Sequence, residues 1–198
     1  MRPLIILCSI LLALSVILSA LIGTFHDDAF YHHSYSRNDA YMHLGSDVVW
    51  EVTENYQAYL DDKEELTRLF DKNQAAHLQD VKELYVVGSW LAQLSLMLVI
   101  VCIGTLMLRK ERKQSLQETF ITTGKILFVL LGVLLLLGLS WEWFFNAFHE
   151  LFFTGNWTFG TGSLMMRLWG GNFFIFAAAY VWIKIFLVAG LLLATSKL

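Results

Sequence analysis

The chain carries six histidines, His26, His32, His33, His43, His77 and His149. Imidazole is the side chain whose ordinary pKa lies nearest neutrality, so it suits proton transfer. Two of the six adjoin long apolar runs. His149 sits in Trp141-Glu-Trp-Phe-Phe-Asn-Ala-Phe-His-Glu-Leu-Phe-Phe. On a helix Glu142, Asn146 and His149 stand at i, i+4 and i+7, one polar stripe among aromatics. Ionisable groups near hydrocarbon usually face a bundle interior or a wet cavity. An interfacial helix end explains the stripe equally well, because Trp, Tyr and His gather at headgroup depth. His77 lies in His77-Leu-Gln-Asp80-Val-Lys82. Asp80 is three residues on, within reach of the imidazole on one helix face. A carboxylate there fixes the tautomer and raises ring basicity. On the residues alone, a solvated helix with an ordinary surface histidine is the simpler account of His77.

Other chemistry-bearing residues lead less far. His26, Asp27, Asp28, His32 and His33 have the composition of metal ligands, but no helical His-x-x-x-His and no paired cysteines occur. No metal is expected, and the segment reads as a flexible polar exit from the first apolar run. Cys8 and Cys102 both lie inside apolar runs, where disulfide or metal roles do not fit. The sequence holds no Gly-x-Ser-x-Gly elbow, phosphate loop or dinucleotide fingerprint. Lys184 lies well inside the last apolar run and reads as snorkelling toward the cytoplasmic face.

The elements that must position these residues follow from composition. Of 198 residues, 57% are hydrophobic and 16% charged, against about 25% charged in a soluble domain. The apolar excess is concentrated in four runs, about 3–24, 84–108, 125–145 and 173–194. Each is about 20 residues or more, enough to cross a hydrocarbon core of roughly 30 Å. Backbone in lipid must be helical or a closed barrel, and period-2 alternation is absent, so the runs read as helices. The first run reads as an uncleaved anchor rather than a signal peptide, since Ser19-Ala20-Leu21 only weakly resembles a cleavage site. A net charge of −3 offers no basic surface to nucleic acid. The expected fold is therefore all-α: a single membrane domain over residues 1–198, built as a four-transmembrane-helix bundle.

Orientation is read from Lys and Arg. Arg109, Lys110, Arg112, Lys113 and Lys125 crowd the loop between the second and third runs, and Arg2 and Lys197 mark the termini. The 26–83 segment has thirteen acids and five bases, a net −8, and the 146–172 loop has only Arg167 and Glu150. Both termini and the basic loop are expected in the cytoplasm, and the other two loops outside. Leu44, Val48, Val49, Val52, Tyr56, Tyr59 and Leu60 recur at three-to-four spacing, which predicts an amphipathic helix. Asp71 or Asn73 is positioned to cap another helix running through His77, Val81 and Leu84. The 26–83 segment thus reads as an extracellular helical cap, with 146–172 an extracellular loop. All six histidines fall on that outward side.

Two outward patches, taken together, resemble a known family. His77-Leu-Gln-Asp80-Val81-Lys82, followed by a span, resembles the His-x-x-Asp-Val-Lys motif of the lipoprotein intramolecular transacylases, called Lit. Phe148-His149-Glu150-Leu-Phe-Phe-Thr-Gly-Asn-Trp157-Thr-Phe is similar to that family's second motif, an aromatic Phe-His-x-x-Phe-Phe run closing on tryptophan. Asn55-Tyr-Gln-Ala-Tyr-Leu60 resembles its helix in the first outward loop, and length and span count also fit. The chain departs from the pattern at Thr161-Gly-Ser-Leu-Met, where the family often has a Thr-Asp-Pro-Leu-Ile type segment, and at Trp169 or a neighbour, where a later proline is usual.

The resemblance implies a bacterial, multi-pass cell-membrane enzyme with its active site at the extracellular face. Its substrate is a lipoprotein whose N-terminal cysteine carries a diacylglyceryl thioether. Intramolecular acyl transfer moves the sn-2 chain to the α-amino group and leaves a lyso, N-acylated lipoprotein. The partners implied are that lipoprotein and membrane lipid, with no nucleic acid or nucleotide and no cofactor. His149 and His77 would be catalytic, with roles that the sequence does not order. Asp80, Asn146, Glu150 and Glu142 would support them, while Trp157, Phe152 and Phe153 would hold substrate or lipid. Two alternatives share the residues: a membrane ester hydrolase using the same histidines on water, and a non-enzymatic transporter or scaffold.

Overall fold

The computed structural model is built of helices. The structure describes residues 2–155 and 157–196; Lys197 and Asn156, which the sequence argument used, lie outside the described residues. Among those described, the elements are α1 (Arg2–Ile22), α2 (Asp28–Tyr35), α3 (Ala40–Leu44), α4 (Ser46–Leu60), α5 (Lys72–Met107), α6 (Arg112–Gly138), α7 (Trp141–Phe152), α8 (Leu164–Trp169) and α9 (Phe173–Thr195). No strand occurs among them. Four of these, α1, α5, α6 and α9, are long and apolar enough to cross a membrane.

The chain divides into two compact units, one of residues 1–22, 88–139 and 181–198, the other of residues 23–87 and 140–180. In the first unit α1 and α6 are joined through hydroxyls. Ser9 Oγ donates to the Ile5 carbonyl at 2.8 Å and lies 3.2 Å from that of Thr119, while Thr123 Oγ1 donates to the Ser9 carbonyl at 3.4 Å. Small side chains allow close approach here, and hydrogen bonds between helices replace the hydrophobic drive that lipid cannot supply. Ala13, Leu127, Leu131, Ile185 and Ala189 form the buried core of α1, α6 and α9. Val101, Leu135 and Leu191 remain exposed, as lipid-facing side chains do. Cys8 and Cys102 are free thiols buried with Ile5 and Leu106.

The second unit is packed by aromatics. Val49, Val52, Tyr56 and Leu60 of the predicted apolar face are buried on α4, while Tyr59 is half-buried, Val48 is 37% exposed, and Leu44 ends the separate α3. Trp169 Nε1–H donates to the Tyr35 hydroxyl at 3.0 Å. The Tyr35 hydroxyl donates to Thr53 Oγ1 at 2.7 Å, and Thr53 donates to the Val49 carbonyl at 2.7 Å. This chain of bonds satisfies the Tyr35 and Thr53 hydroxyls and the Trp169 indole N–H inside the aromatic core.

Two local features differ from expectation. The 26–33 stretch is not an irregular polar exit: Asp27 caps α2 by accepting from the Phe30 N–H at 3.2 Å, and Phe30, Tyr31 and Tyr35 are buried. The aromatic spacing outweighs the polar composition. The 125–145 run is also not one helix, since α6 stops at Gly138 and α7 begins after Ser140.

Candidate active site

His77 and His149 both belong to the second unit, on α5 and α7. α5 starts because Asp71 Oδ1 accepts from the N–H groups of Asn73 and Gln74, at 2.9 Å each. This makes Asp71, of the two expected candidates, the cap. Lys72, Asp80, Lys82 and Glu83 mark the first turns of α5 as lying outside hydrocarbon, so His77 stands ahead of the crossing stretch. α7 carries Glu142, Asn146 and His149 on one face as spaced, with Glu142 exposed, Asn146 half-buried and His149 buried.

The two imidazoles meet. Their ring centroids are 5.9 Å apart with planes inclined by 23°. Both are almost wholly buried, His77 at 8% and His149 at 7% exposure. Phe153 lies against both, 4.8 Å from His77 and 5.2 Å from His149. Trp157 packs on His149 at 4.8 Å, and Phe159 on His77 at 5.6 Å. Phe145 stacks closest on His149, 4.1 Å between centroids. The pair therefore sits in an aromatic sleeve.

The hydrogen bonding of His149 fixes its tautomer. Nδ1 lies 2.8 Å from the Phe145 carbonyl oxygen, which can only accept. Nδ1 must carry the proton, which leaves the lone pair of neutral His149 on Nε2. Burial lowers the pKa of His149, opposed by the hydrogen bond to Phe145. Burial lowers that of His77 as well, the neighbouring His149 adds to the effect, and the Asp80 carboxylate opposes it. Both rings are thus held neutral near pH 7, the state in which each offers one acceptor and one donor. Among the described residues His77 makes ring contacts to His149, Phe153 and Phe159 and no hydrogen bond.

The expected site residues separate into groups. His77, His149, Phe153 and Trp157 converge. Asp80 acts on His77 through charge without a hydrogen bond, and its carboxylate faces Gly155, where an added Cβ would lie 3.7 Å from Oδ2. Asn146 and the exposed Glu142 and Glu150 enter none of the ring contacts or hydrogen bonds of the pair, and Phe152 packs on Phe148 at 4.8 Å. Sequence reading missed Phe145, which the i−4 spacing from His149 could have supplied, and Phe159. It also missed Gln74, signalled by the Asp71-x-x-Gln74 capping pattern.

The other histidines point elsewhere. His26 Nε2 pairs with the Tyr85 hydroxyl at 2.9 Å and with Asp61 at 3.4 Å, His32 packs on Tyr41 and Trp50, and His33 on Phe176. Among the described residues no group of three or more His, Cys, Asp or Glu is arranged to hold a metal. A cavity of about 650 Å³ beside α4, lined by Asp47, Trp50, Glu51, Glu54, Asn55 and Glu64 among others, shares no residue with the histidine pair.

Four apolar helices and a buried imidazole pair in an aromatic setting define an all-helical protein integral to the membrane. The model of the family described as lipoprotein intramolecular transacylase Lit matches residues 6–174, and the chain belongs to this family of acyltransferases. Among solved structures, it is similar to the membrane-integral lipoprotein intramolecular transacylase Lit from Bacillus cereus, with a TM-score of 0.84 at 19% identity over 99% of this chain and 94% of that one. A variant of that protein with one histidine changed to arginine gives a TM-score of 0.81 at 18% identity, covering 99% of this chain and 90% of that chain. These likenesses establish the shared fold. No curated protein matches the chain in sequence.

Proposed function

We propose that this chain moves the sn-2 acyl chain of a diacylglyceryl-cysteine lipoprotein onto the cysteine α-amino group, with His149 and His77 as the reacting side chains. One observation carries this reading: two buried imidazoles 5.9 Å apart, one with Nε2 left as the free base by the Phe145 carbonyl.

The chemistry needs little more. An α-amino group has a pKa near 8 and is mostly protonated at neutrality, so it must lose a proton before it attacks. His149 Nε2 takes that proton. The nitrogen lone pair then adds to the sn-2 ester carbon, forming the C–N bond and an oxyanion. As the oxyanion collapses, the bond from carbonyl carbon to glycerol oxygen breaks, and His77 gives that oxygen a proton. The attacking nitrogen, which at this point holds one proton more than an amide carries, gives it to His77 in exchange, His149 releases the proton it first took to solvent, and both imidazoles end neutral. Donor and acceptor belong to one molecule, so holding them together supplies much of the rate through high effective molarity. Conversion of an ester to an amide runs downhill and requires no nucleotide.

Trp157 and Phe153 pack acyl chain or glycerol against the rings, and Asp80 tunes His77. Asn146 is the nearest side-chain amide on the His149 helix and serves as an oxyanion donor once substrate is bound, while Glu150 and Glu142 lie at the rim. The uneven Lys and Arg distribution supports cytoplasmic termini and a site at the extracellular face of a bacterial cell membrane.

The test is replacement of His77 or His149 by alanine, with membrane insertion checked and the lyso, N-acylated product sought by mass spectrometry. Loss of product in both variants is expected; full activity in either rejects the two-histidine mechanism.

A further inference from the structure

We propose that Gln74 is a positioning residue for the acyl transfer: its buried amide ties the start of α5, which carries His77, to the start of α8, and so holds Phe153, Trp157 and Phe159 against the histidine pair. The proposal rests on reading His77 and His149 as the reacting groups.

Gln74 is 3% exposed, and both ends of its amide are used. Nε2 donates to Asp71 Oδ2, and Oε1 accepts the Met165 N–H at 3.3 Å. A carboxylate can only accept and a peptide N–H can only donate, so the amide has one orientation here. Asp71 in turn takes the Asn73 and Gln74 N–H groups. A helix start leaves N–H groups without intrahelical partners. At α8, Ser163 Oγ accepts the Met166 N–H at 3.3 Å, and Gln74 reaches across from α5 to take that of Met165. One side chain thus completes two helix starts.

The consequence for the site is geometric. His77 lies three residues after Gln74, on the same side of α5. The segment between α7 and α8 brings Phe153 and Phe159 to His77 and Trp157 to His149. At its far end α8 is anchored in the aromatic core, by Asn38 Nδ2 donating to the Leu168 carbonyl at 2.7 Å and by buried Leu168 and Trp169. Among the described residues, the Gln74 amide supplies the side-chain hydrogen bond that joins the start of α8 to the helix that carries His77. A shift of about 1 Å in a reacting group costs on the order of 10²-fold in rate.

The experiment uses the full chain in proteoliposomes with a synthetic diacylglyceryl-cysteine lipopeptide, measuring kcat, KM and thermal midpoint. The variants are Gln74→Leu, which keeps volume and removes both bonds, Gln74→Glu, which sets two carboxylates together, and the double variant Gln74→Glu with Asp71→Asn. In the double variant the new amide at position 71 donates to the new carboxylate at position 74, which still accepts the Met165 N–H. Expected are kcat losses of about tenfold or more in the single variants, KM changed by less than about threefold, and recovery of most of kcat in the double variant. Wild-type kcat in the single variants overturns the proposal, as does loss of kcat that the double variant fails to restore. His77→Ala separates the two levels. An inactive His77→Ala beside an unimpaired Gln74→Leu removes the positioning role alone, whereas a fully active His77→Ala removes the histidine mechanism and this proposal with it.

Discussion

His149→Asn separates the chemistry of His149 from its packing. Alanine at this position would delete a ring that stacks on Phe145, Phe153 and Trp157, and truncating a buried aromatic costs about 3–5 kcal/mol. Loss of activity in that variant therefore mixes loss of base with loss of fold. Asparagine instead keeps an N–H donor near Nδ1, so the bond to the Phe145 carbonyl, now 2.8 Å, survives. What disappears is the lone pair at Nε2. A positioned general base contributes about 10²–10⁴ in rate, which at about 1.36 kcal/mol per tenfold is roughly 2.7–5.4 kcal/mol of barrier. The assay is a time course of N-acylated product from a diacylglyceryl lipopeptide in proteoliposomes, beside a thermal melt. The expected result is a kcat lower by about 10²–10⁴ with KM nearly unchanged and a midpoint that falls less than in His149→Ala, because the bond to Phe145 is kept. A kcat above about a third of wild type would refute the assignment of Nε2 as the base.

Further predictions follow from the same geometry. Because burial lowers both histidine pKa values, activity should hold through neutrality and fall only below the ordinary imidazole value of about 6.5, read from a pH–rate profile. The linked effect on stability has a definite sign. The unfolded chain binds more protons than the folded one below about 6.5, so stability should rise with pH across that window and level off above it. Asp80→Asn removes the group that raises the His77 pKa and should move the acid limb to lower pH. Replacing His32 and His33 together by alanine should leave kcat near wild type, since both point away from the pair; a loss as severe as that of His149→Asn would restore the metal reading of the 26–33 segment. Gly170→Ala should destabilise the fold by about 1–3 kcal/mol in a thermal melt, because its Cβ would overlap the Met166 carbonyl, backbone that cannot rotate aside.

The features legible in the sequence were those set by local periodicity. Twenty-residue apolar runs can only be helices in lipid, and the three-to-four spacing of Val49, Val52, Tyr56 and Leu60 exposes one face to a core whatever that core contains. His77 and His149 could be singled out because each sits at the margin of an apolar run, but spacing alone could not bring them together. Seventy-two positions separate them, and only the fold of the second unit joins α5 to α7. What escaped sequence reading was settled by distant partners. α2 forms because Phe30 and Tyr35 find Phe173, far along the chain. Gln74 resembles any polar residue in the first turn of a helix until the Met165 N–H is seen to need it. The break between α6 and α7 gave no proline signal. Gly138, Leu139 and Ser140 continue the leucine run in hydropathy while ending the helix in conformation.

The central claim is the destination of one acyl chain, and one measurement follows it directly. A lipopeptide is made with a deuterated chain at sn-2 only and incubated with the wild-type protein in proteoliposomes, and its N-terminal fragment is analysed by tandem mass spectrometry. Total mass does not change on internal transfer, so fragmentation must locate the label. Label on the cysteine nitrogen, with a free sn-2 hydroxyl, is the predicted result, and it should vanish in His149→Asn. Label recovered as free fatty acid, or still at sn-2 after prolonged incubation, contradicts the account.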